Sequence, residues 1–137
     1  HPRVLVMATP MTLREEKFHA LMQRFESDAE ILRLPCPGLV EYYRGLIAVR
    51  KFFPQFRMRD AESIRKIRFE TLEGGAVAAD FGGLLLIVNP AAHPLKYENG
   101  RRMMVYADHI TAGTRPLFIA DGAVSVAPRG IILAEYR

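Results

Sequence analysis

Apolar and polar positions alternate along this chain in two different rhythms, and the change of rhythm divides it. Val4 to Met7 is a continuous apolar run, the mark of a strand covered on both faces, and Pro10 ends it. Thr12-Leu13-Arg14-Glu15 has the S/T-x-x-E form of a capping box, which predicts Thr12 at a helix N-cap with Glu15 reaching back. Phe18, Leu21, Met22 and Phe25 follow at helical spacing and predict a one-sided helix packed on the strands. After Glu26-Ser27-Asp28, Ile31, Leu32 and Leu34 predict a second strand that Pro35 stops. Pro37-Gly38 then opens a second helix with Leu39, Val40, Tyr43 and Leu46 on its apolar side. A strand–helix–strand unit of this kind is parallel and right-handed. Its two strand-to-helix turns, residues 8–12 and 35–38, then fall on one edge, where ligands bind in such sheets.

Ile47 to Arg59 breaks the pattern. Arg50, Lys51, Arg57 and Arg59 are interleaved with Phe52, Phe53 and Phe56. Basic and aromatic residues together bind single-stranded nucleic acid by charge and stacking. The favoured reading is plainer: a helix end, a break at Pro54 and a connector whose phenylalanines sit in the core. Asp60 is placed to cap a short helix through Ile64 and Ile67 that Gly74-Gly75 would end, although Ile67, Phe69 and Thr71 also alternate as a strand does.

Beyond Gly74 the rhythm is that of strands. Leu84–Val88 is a short apolar run, and Ile131–Tyr136 reads as a last strand. Asn99-Gly100 and Asp121-Gly122 stand between strand-like runs and predict two tight hairpin turns, at Leu95–Glu98/Arg101–Tyr106 and at Leu117–Ala120/Ala123–Ala127. Short strands joined by tight turns predict an antiparallel meander or small barrel. The fold class expected is therefore α/β: a parallel strand–helix–strand–helix unit at the N-terminus followed by a β-rich antiparallel C-terminal part. The divisions expected are 1–49, a connector at 50–73, and 74–137.

Composition adds bounds rather than direction. Half of the 137 residues are apolar, a quarter are charged, and the net charge is +4, all ordinary for a globular protein. No apolar run reaches bilayer length, so no membrane partner is expected. Cys36 is the single cysteine, which excludes an internal disulfide and agrees with a cytoplasmic setting. The first residue is His1 rather than Met, so a fragment or a processed form is expected. Asp80, His93, Asp108, His109 and Asp121 are the candidate metal ligands of the β-rich part. Their spacings match no recognisable site, and no metal is expected. Asp108-His109 as an acid–base pair is outweighed by a solvated strand end. There is no phosphate loop and no G-x-S-x-G.

The run Val4–Glu41 carries a family resemblance. Ala8-Thr9-Pro10-Met11-Thr12-Leu13 resembles the G-T-x-G-T-V-like turn that opens the second lobe of bacterial glutamate racemases. Pro35-Cys36-Pro37-Gly38-Leu39-Val40-Glu41 is similar to their A-C-P-x-F-V-x-L-V-E-like turn. The resemblance implies a cofactor-independent amino-acid racemase supplying D-glutamate for peptidoglycan. It also implies that Thr9 and Thr12 lie near the bound glutamate carboxylate, against the plainer reading that they only cap a helix. Such an enzyme needs two bases, one on each face of the α-carbon, and the family uses two thiolates. Neither cysteine motif is present. The nearest match, Leu86 to Leu95, has Ala in the place of the Cys. Cys36 belongs to the proline-flanked turn, not to a catalytic position, and is read as a structural, buried residue.

No catalytic residue is therefore assigned. Two readings stand: an incomplete, inactive racemase-like protein, and a non-catalytic β-rich binding or assembly domain with an α/β appendage. Nucleic acid is not favoured as a partner, and a homo-oligomer stays open.

Overall fold

The computed structural model describes residues 2–137, which form two compact units, up to Tyr43 and from Arg44 onward. The first unit holds β1 (Arg3–Ala8), α1 (Pro10–Arg14), α2 (Glu16–Gln23), β2 (Glu30–Pro35) and the start of α3 (Leu39–Phe52). β1 and β2 are parallel and in register from Arg3↔Glu30 to Ala8↔Pro35, as the apolar runs predict. The helix start differs from the capping box. Thr9, not Thr12, is the N-cap of α1, with Pro10 in the first turn, and Thr9 Oγ1 accepts from the Thr12 N–H at 3.2 Å. Proline lacks an N–H and has its φ preset, so it favours the first helical position and draws the start forward. Glu15 caps α2 without any side-chain bond.

A pair of strands gives this unit little to bury. None of residues 2–43 is fully buried. Phe18 and Met22 are half-buried, but Leu21 and Phe25, expected on the strands, stay 45% and 48% exposed. Parallel sheets are normally covered on both faces, and two strands alone do not make a stable core.

The second unit is built on a six-stranded antiparallel sheet of order β3-β4-β5-β8-β6-β7. These are β3 (Arg68–Thr71), β4 (Val77–Asp80), β5 (Leu84–Asn89), β6 (Leu95–Ala107), β7 (Phe118–Val126) and β8 (Gly130–Tyr136). The last strand lies between β5 and β6, so the order is not that of a meander. Ahead of the sheet come the end of α3, a 3₁₀ turn at Pro54–Arg57 and α4 (Ala61–Arg65). Asp60 caps α4, its Oδ1 accepting from the Ser63 N–H at 2.7 Å. Of the two readings of residues 67–71, the strand is the one adopted.

Neither glycine dipeptide makes a hairpin, which corrects the expectation for both. Asn99-Gly100 lies inside β6 and Asp121-Gly122 inside β7, and the ladder between these strands shifts register between Glu98 and Arg102. Gly100 and Gly122 both have positive φ (68° and 78°), and a Cβ on Gly122 would lie 4.0 Å from Gly100 Cα. The left-handed Asn-Gly geometry is used in a bulge of β6, where Asn99, Gly100 and Arg101 stand opposite the single residue Gly122 of β7. The actual β6–β7 connection is residues 108–117.

The bend gives the sheet two cores. Leu95, Val124 and Val126, beyond the bulge, pack with Ala78, Leu85, Ile87, Ile132 and Ala134 on one face. Asn89, 1% exposed, ties this region together. Its Nδ2 donates to the carbonyls of His93 (2.9 Å) and Ala127 (3.0 Å), and its Oδ1 accepts from Ala91 N–H (3.1 Å). On the other face Val49 and Phe53, carried by α3 and the turn after it, cover Leu84, Tyr106 and Leu133. Burying each such side chain contributes roughly 1.5–3 kcal/mol. The Phe53 ring meets Tyr106 edge-on at 4.9 Å. Phe53 thus sits in the core, as the plainer reading of the connector holds, while Phe52 remains 53% exposed.

α3 comes close to the 108–117 connection at Gly45, where an added Cβ would lie 2.1 Å from the Ala112 carbonyl oxygen. In a free helix Gly→Ala gains about 1 kcal/mol. Here Gly45→Ala is expected to lose about 1–3 kcal/mol instead, through overpacking against backbone, measured by urea unfolding. Gly100→Ala meets open space, but its φ is left-handed. It is expected to cost about 1–2 kcal/mol. Gly113→Ala, with ordinary φ and equal space, should be near neutral; an equal loss at both positions would refute the conformational account.

Candidate functional site

Two places merit attention, one in each unit. In the first, the parallel pairing of Ala8 with Pro35 brings both strand-to-helix turns to one edge. The hydroxyls of Thr9 and Thr12 lie 2.9 Å apart and share a hydrogen bond. Both are engaged at the start of a helix only five residues long. Cys36 follows β2, its N–H donating to the Ala8 carbonyl at 2.8 Å and its Sγ lying 3.6 Å from Leu34 O. The cysteine is half-buried, and its thiol is directed back to its own strand.

In the second unit, a cleft of about 370 Å³ opens on the sheet among Arg68, Glu70, Asp80, Tyr97, Arg101 and Tyr136. Its centre is Asp80. The turn Asp80-Phe81-Gly82-Gly83 wraps one carboxylate oxygen with the N–H groups of Gly82 (2.9 Å) and Gly83 (3.1 Å). The other oxygen accepts from the Tyr136 hydroxyl at 2.6 Å. Burial by itself would push the Asp80 carboxyl up. The Tyr136 hydroxyl, the two glycine N–H groups and the Arg68 charge outweigh it and hold the carboxyl below its usual range. The same bond raises Tyr136, with burial adding to it. Tyr97 is raised by burial and by the Glu70 and Asp80 carboxylates. The Arg101 guanidinium stands 4.9 Å over the Tyr136 ring. Two cations thus face two carboxylates, and the cleft is a polar, charge-balanced recess with aromatic walls.

Sequence reasoning reached Asp80 only as a metal candidate. Asp followed by paired glycines two residues on is an Asx-turn signal. Nothing in the sequence places Tyr136 or Tyr97 beside it, since that depends on strand order. The other candidate ligands are dispersed. Asp108 accepts from Ile110 and Thr111 N–H within the β6–β7 connection, and Asp121 lies 3.7 Å from Arg102. Among the described residues no three His, Cys, Asp or Glu side chains gather as a metal site would require. No helix among them is long and apolar enough to cross a membrane.

No family model matches the chain. Over short segments it is similar to glutamate racemases. The protein of Clostridium acetobutylicum is 62% identical over 39 residues, which are 28% of this chain and 15% of that protein. That of Bifidobacterium animalis subsp. lactis is 63% identical over 70 residues, 44% of this chain and 27% of that protein. The chain therefore spans well under a third of the length of these relatives. The structure matches other proteins. A pullulanase from Bacillus acidopullulyticus aligns over 69% of this chain and 13% of its own, with a TM-score of 0.61 and 18% identity. The type I pullulanase of Bacillus subtilis str. 168, complexed with maltose, aligns over 72% and 15%, with a TM-score of 0.58 and 22% identity. At such identity the likeness concerns fold alone.

The Asp80–Tyr136 bond makes the sheet acid-sensitive. A carboxyl with a depressed folded-state pKa stabilises above its unfolded value of about 4 and loses that contribution as pH falls through the folded one. Tyr136→Phe is expected to cost about 1 kcal/mol at neutral pH and to flatten the acid limb of the stability–pH curve. Thermal melts from pH 7 to pH 2 measure both, and an unchanged acid limb would contradict the assignment.

Proposed function

We propose that residues 4–41 are the opening strand–helix–strand–helix segment of a glutamate racemase second lobe, carried in a chain that does not itself racemise glutamate. The observation behind this reading is the parallel β1–β2 pair with both proline-bounded turns on one edge, taken with 62% identity to a glutamate racemase over 39 residues. Racemisation moves a proton from one face of the α-carbon to the other and needs a base on each. One thiol is present, Cys36, and its Sγ faces its own strand. Two copies of Cys36 in a dimer would have to reach opposite faces of one α-carbon from proline-bounded turns, which the geometry of those turns disfavours. In this reading Thr9 and Thr12 are the residues left to meet a glutamate carboxylate, through hydroxyls already bonded to each other.

Incubation with D-glutamate in deuterated water, followed by loss of the α-proton signal and by optical rotation, tests the reading. No exchange above buffer is expected, and Cys36→Ala should be indistinguishable from the parent chain. Exchange that Cys36→Ala abolishes would make Cys36 a base.

A second reading has its own observation: every fully buried apolar side chain lies between Val49 and Ala134. On that reading the β-rich unit is a non-catalytic binding or assembly domain, and the α/β segment is its appendage. The flanking DNA separates the two. In-frame sequence for the two cysteine motifs that the glutamate racemase resemblance implies favours the first reading, and complete unrelated domains on both sides favour the second.

A further inference from the structure

The face of the sheet under α3 is not completely filled. A groove of about 310 Å³ remains, walled by Leu46, Val49, Phe56, Leu86, Ile131 and Leu133. Arg50 stands at its edge and also lines an adjoining hollow of about 280 Å³, with Phe56 shared between the two. The hollow is basic: Lys51, Arg57 and Arg59 complete it. No Asp or Glu occurs between Tyr42 and Arg59 in the sequence. The ion pairs among the described residues involve other cations than these four. An apolar slot thus adjoins a basic hollow, with Arg50 and Phe56 common to both.

We propose that this groove binds an anionic amphiphile: an unbranched medium-length alkyl chain in the slot, with its carboxylate or similar head at Arg50, Arg57 and Arg59. The slot is at the lower end of small-ligand pocket volumes. Its walls offer no hydrogen-bonding floor, so the tail must be hydrocarbon, and the rim selects a negative head. Single-stranded nucleic acid fits less well. Phe53, one of the three aromatics in the basic run, is 5% exposed and spent in the core, which removes one of the three interleaved rings from any stacking platform. The site lies wholly within the second unit and is independent of the racemase reading.

The test is a methyl NMR titration of the full chain with decanoate below its micellar concentration, with decanol and acetate as comparisons. Saturable shifts at Leu46, Val49, Ile131 and Leu133 are expected with decanoate, about tenfold weaker binding with decanol, and none with acetate. The exposed double variant Arg50→Glu/Arg57→Glu should weaken decanoate about tenfold and leave decanol affinity and Tm unchanged. Equal affinity for decanol and decanoate would overturn the proposal. So would shifts spread over the exposed apolar residues of β1 and β2, or displacement of decanoate by oligothymidylate.

Discussion

The bend in the β6–β7 ribbon is the constraint on which the second unit depends. The thirteen residues of β6 outrun both of its neighbours, the seven of β8 and the nine of β7. A bulge in β6 at Asn99, Gly100 and Arg101, opposite Gly122, turns the ribbon; Met103 to Ala107 pair with β8 while Leu95 and Val126 pack with Leu85 and Ile87 of β5. Without the bend Leu95, Val124 and Val126 would have no apolar face to meet. Asn89 holds the folded-over part by hydrogen bonds to carbonyls on both flanks, which makes its burial tolerable. The place of β8 between β5 and β6 follows, because the ribbon leaves a vacant ladder there.

The opposite face has a different organisation. α3 brings Val49, and Phe53 just beyond its end, to the sheet, and Gly45 lets the Ala112 backbone approach where any side chain would collide. The covering is partial, since one helix and a 3₁₀ turn leave an apolar slot beside them. The same stretch carries the arginines of the basic hollow, so the incomplete cover and the positive rim share one segment of sequence.

The first unit obeys its local rules without meeting the tertiary demand they normally serve. β1 and β2 pair in parallel, proline sets the start of α1, and the two proline-bounded turns fall on one edge. Yet Leu5 and Met7 remain 57% and 56% exposed. Surface pairs such as Arg3–Glu30 add little in water. The likeness covers 15% of the Clostridium acetobutylicum racemase, and the chain holds one thiol, Cys36. Over 69–72% of its length the chain shares its fold with parts of pullulanases.

The sequence by itself determined what depends on near neighbours. Continuous apolar runs placed β1, β2, β5 and β8, Pro37-Gly38 opened α3, Asp60 capped α4, and the two proline-bounded turns carried the likeness to racemases. The start of α1 was misjudged because two local signals competed, and Pro10 prevailed over the capping box. The tertiary structure alone decided what depends on pairing across distance. Asn99-Gly100 specifies a left-handed residue but not whether the chain turns back there; with β7 paired on both sides of Gly122, the dipeptide became a bulge of β6. Likewise Asp80 stood in the sequence only as a candidate metal ligand, and its meeting with Tyr136, fifty-six residues on, required β8 to enter the middle of the sheet. Spacing along a chain fixes torsion and face. Strand order is set by which apolar faces find cover, and that is a property of the whole fold.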